Sequence, residues 1–193
     1  MKKILQIGDP TLEKKSKIVK KVDSPKIQDL VKDLVAICKK KEKITGGLAA
    51  PQIGVLKQVV VVRRLDIEDE YQKKMRIIHD ELKDNLWLVM INPKVVKKGK
   101  KKDINWEGCL SVKHGKLFGP VERSTFIKVK YLDESGNEQE LVASGYFASA
   151  TLHEIDHLRG TLFVKYVKNL ENLWSDKKLD AYINEYGEFP EIK

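Results

Sequence analysis

Residues 145–160, GYFASATLHEIDHLRG, constrain the fold of this chain more than any other stretch. The segment is rich in helix formers, closes on Gly160, and carries Phe147, Ala150, Leu152 and Leu158 among its apolar positions, so it reads as a buried helix. Yet it also holds His153, Glu154 and His157. On a helix, histidines four residues apart project from one face within reach of a single metal ion. Glu154 sits beside the first, where a carboxylate reaches a water on such an ion without being a ligand. The H-E-x-x-H pattern alone also fits two histidines on a helix surface with a solvated glutamate. The apolar surroundings argue against that, because buried imidazoles need polar partners.

A catalytic metal site with one open position takes a third protein ligand. The chain contains two cysteines, Cys38 and Cys109. Cys38 lies in SPKIQDLVKDLVAICKK (24–40), where Ser24 is a candidate N-cap and Pro25 takes the first helical position. Ile27, Leu30, Val31, Leu34, Val35 and Cys38 recur there at helical spacing, which makes an amphipathic helix with Cys38 as core packing. Cys109, in GCLSV (108–112), has no neighbouring cysteine to pair with. A lone thiol there can be a small buried hydrophobe, a nucleophile or a metal ligand. Joined to His153 and His157 it completes a three-ligand set, and sulfur then no longer serves as the nucleophile.

The rest of the chain supplies strands. QVVVVRRL (58–65) and LWLVMINP (86–93) are short β-branched apolar runs, and TFIKVKYL and QELVAS flank the turn residues DESGN as a hairpin. SDKKLDAYINEYG (175–187) reads as a second short helix between Ser175 and Gly187. The charged, weakly periodic segment 66–85 reads as a surface insertion, with His79 solvated. With 193 residues, 34% charged and 41% apolar, residues 1–193 form one globular domain rather than a disordered chain. No apolar run is long enough to span a membrane, and the opening MKKILQIGDP has no signal-peptide core, so a cytoplasmic protein is expected. The formal charge of +9 is spread through KKKEK (39–43) and KVVKKGKKK (94–102). Without a nucleic-acid module these are a solvated face or, at most, a non-specific attraction to RNA such as the ribosome.

GGLAAPQIG (46–54), EGCLSV (107–112) and HEIDHLRG (153–160) resemble, in this order, the three signature segments of the peptide deformylases. ILQIGDPTLEKKSKIV (4–19) is similar to their amino-terminal segment. The resemblance implies an α+β domain with antiparallel or mixed sheets around a central metal-binding helix. It also implies metal ligation by Cys109, His153 and His157, with Fe(II) the usual ion and zinc or other divalent ions able to replace it. Glu154 matches the general acid/base, and Gln52 with the backbone N–H of Leu110 matches the oxyanion donors. Gly46, Gly47 and Leu48 match the wall of the substrate cleft. Glu107, Tyr146, Ser149 and Ala150 are expected to contact substrate too, with Asn105 near the methionine pocket. Asp156 and Arg123 are expected to form an ion pair that holds the helix. The implied activity removes formyl from the initiator methionine of new proteins, so N-formylated nascent peptides are the partners.

The sequence departs from the family pattern at Thr45, usually glycine, at Gly46, usually apolar, and at Leu152, usually glutamine. Two other readings stay open on the residues alone. One is an H-E-x-x-H metalloprotease, which leaves Cys109 and the glycine-rich segment without a role. The other is a basic, ribosome-associated, non-enzymatic protein whose structural metal would have four protein ligands.

Overall fold

The computed structural model describes residues 2–64 and 86–193, so the segment expected as a surface insertion, His79 included, lies outside the described residues. Among the described residues, eight strands form two antiparallel sheets. The larger has the order β1-β2-β3-β6-β7, with β1 (Gly47–Ala49), β2 (Val59–Arg63), β3 (Trp87–Lys98), β6 (Phe126–Leu132) and β7 (Glu138–Ser144). The smaller joins β4 (Lys102–Gly108), β5 (Leu117–Ser124) and β8 (Trp174–Ser175) in the order β4-β5-β8. The described residues add three α-helices: α1 (Pro25–Lys40), α2 (Gly145–Leu158) and α3 (Asp176–Tyr186).

The run of valines in β2 explains how the large sheet is packed. Successive strand side chains face opposite ways. Val59 and Val61 enter a core with Leu30, Leu34 and Cys38 of α1, while Val60 and Val62 enter another with Phe147, Leu152 and Ile155 of α2. A strand covered on both faces can afford no polar alternation, hence VVVV. The strongly apolar α2 is central, as its sequence requires, with every residue from Thr151 to Leu158 buried. Leu152 lies in the second core, so its apolar side chain is absorbed by packing.

Several expectations shift in detail. Ser24 and Ser175 stand at the N-cap positions but make no side-chain cap, and Ser24 Oγ instead donates to the Lys21 carbonyl at 2.9 Å. β3 continues past Pro93 to Lys98, with the register shifting between Ile91 and Lys94. Proline cannot donate to a ladder, so the strand survives it only through a bulge. Asn92 takes φ +54° there, and its side chain exchanges two 2.9 Å hydrogen bonds with the backbone of Val19. β4 and β5 have no clear counterpart in the sequence reading, yet β4 runs directly into Cys109.

The amino-terminal segment laces these parts together. Leu5 N–H donates to the Gln52 carbonyl at 2.8 Å, Ile7 N–H to Ser111 at 2.7 Å and Ser16 N–H to Leu158 at 2.8 Å. Gly160, at φ +74°, ends α2 against this segment, where a Cβ would lie 2.3 Å from the Glu13 carbonyl oxygen. Only glycine fits that close approach. Among the described residues no helix is long and apolar enough to cross a membrane.

Candidate active site

Helical periodicity on α2 and the turn after β4 bring the three expected ligands together. The ligand atoms of Cys109, His153 and His157 all lie within 4.8 Å of one another, and all three residues are buried. Cys109 Sγ stands 3.3 Å from His157 Nε2 and accepts from the Ser111 N–H at 3.4 Å. One sulfur and two imidazole nitrogens converging from separate elements suit a borderline divalent cation. The His157 Nδ1 and Glu154 Oε2 atoms are buried without a hydrogen-bond partner. The Glu154 oxygen, unpaired beside convergent donor atoms, fits a metal centre with substrate or water beside it, whereas His157 Nδ1 lies across the ring from the Nε2 that faces the cluster.

His153 is braced from behind. Its Nδ1 contacts Glu107 Oε2 at 2.8 Å, which leaves Nε2 for the cluster. Glu107 in turn receives Arg123 Nε at 2.6 Å and Arg123 Nη2 at 2.9 Å, and Arg123 Nη1 reaches Asp156 Oδ2 at 2.5 Å. The expected Asp156–Arg123 pair therefore exists, but as the end of a longer chain running to a ligand. Glu107 is neither solvated nor a free substrate contact. It borders the cleft, while its carboxylate is engaged by Arg123 and His153. Burial raises its pKa, but hydrogen bonds from Arg123 and His153 outweigh this and hold it below the usual carboxylate range. A carboxylate that fixes the tautomer and direction of a metal-binding histidine is a recurrent device.

Glu154 is in a different state. Burial pushes its carboxyl up to about 7, partly offset by His153, which is near the pH where a group both accepts and returns a proton. Its side chain lies against β1: a Cβ on Gly47 would fall 2.7 Å from Glu154 Cγ and Oε1 and 2.8 Å from the Val61 carbonyl oxygen. Gly47 is therefore obligatory for the carboxylate to sit where it does. Thr45, at the usual glycine position, donates its hydroxyl to the Gly47 carbonyl at 2.5 Å and so ties the loop down.

Gln52 is oriented by its own turn. Pro51 is the second residue of the 3-10 turn Ala50–Ile53, and Gln52 Oε1 accepts from Ala49 N–H at 2.8 Å. This points Nε2 toward Cys109 Sγ at 3.5 Å and Ser111 Oγ at 3.2 Å, beside the ligand cluster. The cleft is lined by Gly46, Gly47, Leu110, Tyr146, Ser149 and Ala150 together with Cys109, His153, Gln52 and Glu154. Leu48 does not line it, since its side chain is fully buried against α1. Asn105 stands behind Ser149 and donates to its hydroxyl at 2.8 Å.

One residue of the site escaped sequence reasoning. Gln6 Nε2 donates to the Leu110 carbonyl at 2.9 Å, and its Oε1 accepts from His114 N–H at 3.0 Å. It clamps both ends of the loop that carries the Leu110 N–H. His114 itself is exposed, at φ +58°.

A family model described as polypeptide deformylase matches residues 1–173. The peptide deformylase of Finegoldia magna is 38% identical over 178 residues, covering 92% of this chain and 94% of that protein. Among solved structures, peptide deformylase from Ehrlichia chaffeensis aligns with a TM-score of 0.72 at 32% identity, covering 96% of both chains. The peptide deformylase from Synechococcus elongatus, solved in complex with actinonin, aligns with a TM-score of 0.70 at 30% identity, covering 96% of this chain and 86% of that one. On the match across its three sequence motifs, its fold and its convergent ligand set, the chain belongs to the polypeptide deformylase family.

Proposed function

We infer that this protein is a metal-dependent peptide deformylase that removes the formyl group from the amino-terminal methionine of new proteins. The observation that carries the reading is the convergence of Cys109, His153 and His157 within 4.8 Å, beside the partnerless carboxylate oxygen of Glu154. Cys109, His153 and His157 would hold the metal, which when bound would supply Lewis acidity toward the formyl oxygen and a nucleophile at neutral pH. Glu154 takes the proton of the attacking water and returns it to the amine as the formamide C–N bond breaks, releasing formate. Gln52 Nε2 and the Leu110 N–H meet the oxyanion, a type of contact worth about 3–4 kcal/mol in acyl-transfer sites. β1 lies at the edge of the large sheet, and its glycine-flanked backbone admits an extended peptide closely.

The donor set does not fix the ion, and we assign Fe(II) as the native metal with zinc or other divalent ions able to occupy the site. The compartment is the cytoplasm, in keeping with two buried free cysteines. A weak, salt-sensitive attraction to ribosomal RNA is assigned to the lysines of 94–102. In the sheet register Lys94 faces Lys130, and opposed like charges favour a polyanion beside them, whereas Lys128, opposite Lys97, is paired with Glu140 at 2.6 Å. The deciding experiment is anaerobic formate release from formyl-Met-Ala-Ser after reconstitution with Fe(II), Co(II) or Zn(II). Peptide-bond cleavage without formate would favour the metalloprotease reading instead.

A further inference from the structure

The helix face that presents His153 and His157 continues toward the start of α2 through Ser149, Ala150 and Tyr146. Positions three and four residues apart lie on one face. If the formamide sits at the ligand cluster, the side chain of the first residue falls against this stretch, opposite Gly46 and Gly47. The inference therefore rests on the deformylase reading and concerns what that recess accepts.

Its wall combines two features. The first is low bulk. Gly46 has no side chain and Ala150 only a methyl, and a Cβ added at Gly46 would already touch Ala150 Cβ at 3.9 Å. Loop and helix thus approach closely here, and a side chain enters beside these two small residues, past Tyr146 and Ile44 exposed at the rim. The second is a buried polar pair. Ser149 is buried on the cleft wall, and its Oγ accepts from Asn105 Nδ2 at 2.8 Å. A hydroxyl that accepts one hydrogen bond keeps its own hydrogen to donate. A thioether is a weak acceptor for it, whereas an amide carbonyl is a good one.

We propose that the first-residue pocket is a polar-walled recess, with Ser149 and Asn105 as specificity determinants, that takes N-formyl peptides whose first side chain ends in an amide alongside those beginning with methionine. An amide carbonyl there satisfies the Ser149 hydroxyl. A purely apolar wall would leave that amide unpaired and reject it.

The test compares kcat/KM of the metal-loaded protein on matched formyl-Met, formyl-norleucine and formyl-Gln peptides. The expected result is formyl-Gln within about tenfold of formyl-Met, with the Gln:Met ratio falling at least about tenfold in Ser149→Ala. Asn105→Leu should move the ratio the same way, which guards against a folding defect in one variant. A methionine preference steeper than about tenfold in the parent, or a ratio unchanged in both variants, overturns the inference. Formate from none of the three peptides would instead overturn the deformylase reading, and this inference with it.

Discussion

His153 and His157 project from the same face of α2 with their rings 5.0 Å apart, yet their second nitrogens meet opposite conditions. His153 Nδ1 leans on Glu107, which is held by Arg123, which is held by Asp156. His157 Nδ1 is buried with no partner. Burial opposes the charged form of both. Hydrogen bonds from Cys109 and Glu107 outweigh it at His153 and raise that pKa well above the ordinary value, while burial dominates at His157 and drives its pKa well below. The difference shows how the site divides its polar demand. One candidate ligand is aimed by a prebuilt chain of ion pairs, and the other has no such brace on its second nitrogen.

The most severe way to break this arrangement is to remove the ligand common to both. Cys109→Ala should lose stoichiometric metal and formate release together; elemental analysis showing full occupancy in that variant would reject the ligand set. Next, Glu154→Gln keeps the shape but removes the proton carrier, so metal should remain while kcat falls by about 10² to 10⁴. Near-parental turnover would mean that the proton travels by another route, and loss of metal would make Glu154 a supporting residue.

A sharper probe of the asymmetry is Glu107→Gln, which alters the brace of His153 and leaves His157 untouched. Metal affinity, read by competition with a chelator, should fall about 10- to 100-fold. Arg123 would lose its main partner, and breaking such a buried pair costs about 3–5 kcal/mol, visible in a urea titration. Unchanged metal affinity would show that the brace is structural only. The smallest effect is expected from Gln6→Ala, which frees the Leu110 carbonyl and the His114 N–H. Stability should drop by about 1–3 kcal/mol, with kcat reduced more than KM is raised. An increase confined to KM would assign Gln6 to substrate binding rather than to holding an oxyanion donor.

The two halves of the site were not equally legible in the sequence. Residues on one helix face announce their proximity by spacing, so the grouping of His153 and His157, with Glu154 beside them, is readable from periodicity, and Cys109, isolated in the sequence, is the thiol that the structure brings to them. The Asp156–Arg123 pair was also foreseen. Glu107 was assigned to substrate because a lone glutamate in EGCLSV shows no sign of a partner 46 residues away. Gln6 is harder still, since its two partners lie 104 and 108 residues along the chain. β4 was missed for a related reason: KDINWEG is mostly exposed or half-buried, and it is held as a strand by register with β5 rather than by an apolar alternation of its own. Periodicity reports burial on one element, whereas register and clamps are properties of two.

Gly160, pressed against the Glu13 carbonyl where α2 ends, has a consequence for biogenesis. Synthesis delivers the amino-terminal segment first and the end of α2 last among the site elements. Leu5, Gln6, Ile7 and Ser16 bond to residues near 52, 110 and 158, so the earliest residues made must wait for some of the latest before their contacts close. Such long-range closure slows folding relative to local pairing. Metal-binding geometry therefore appears as a late, whole-chain event, and a nascent chain arrested before Gly160 emerges would carry Cys109 without its completed cradle.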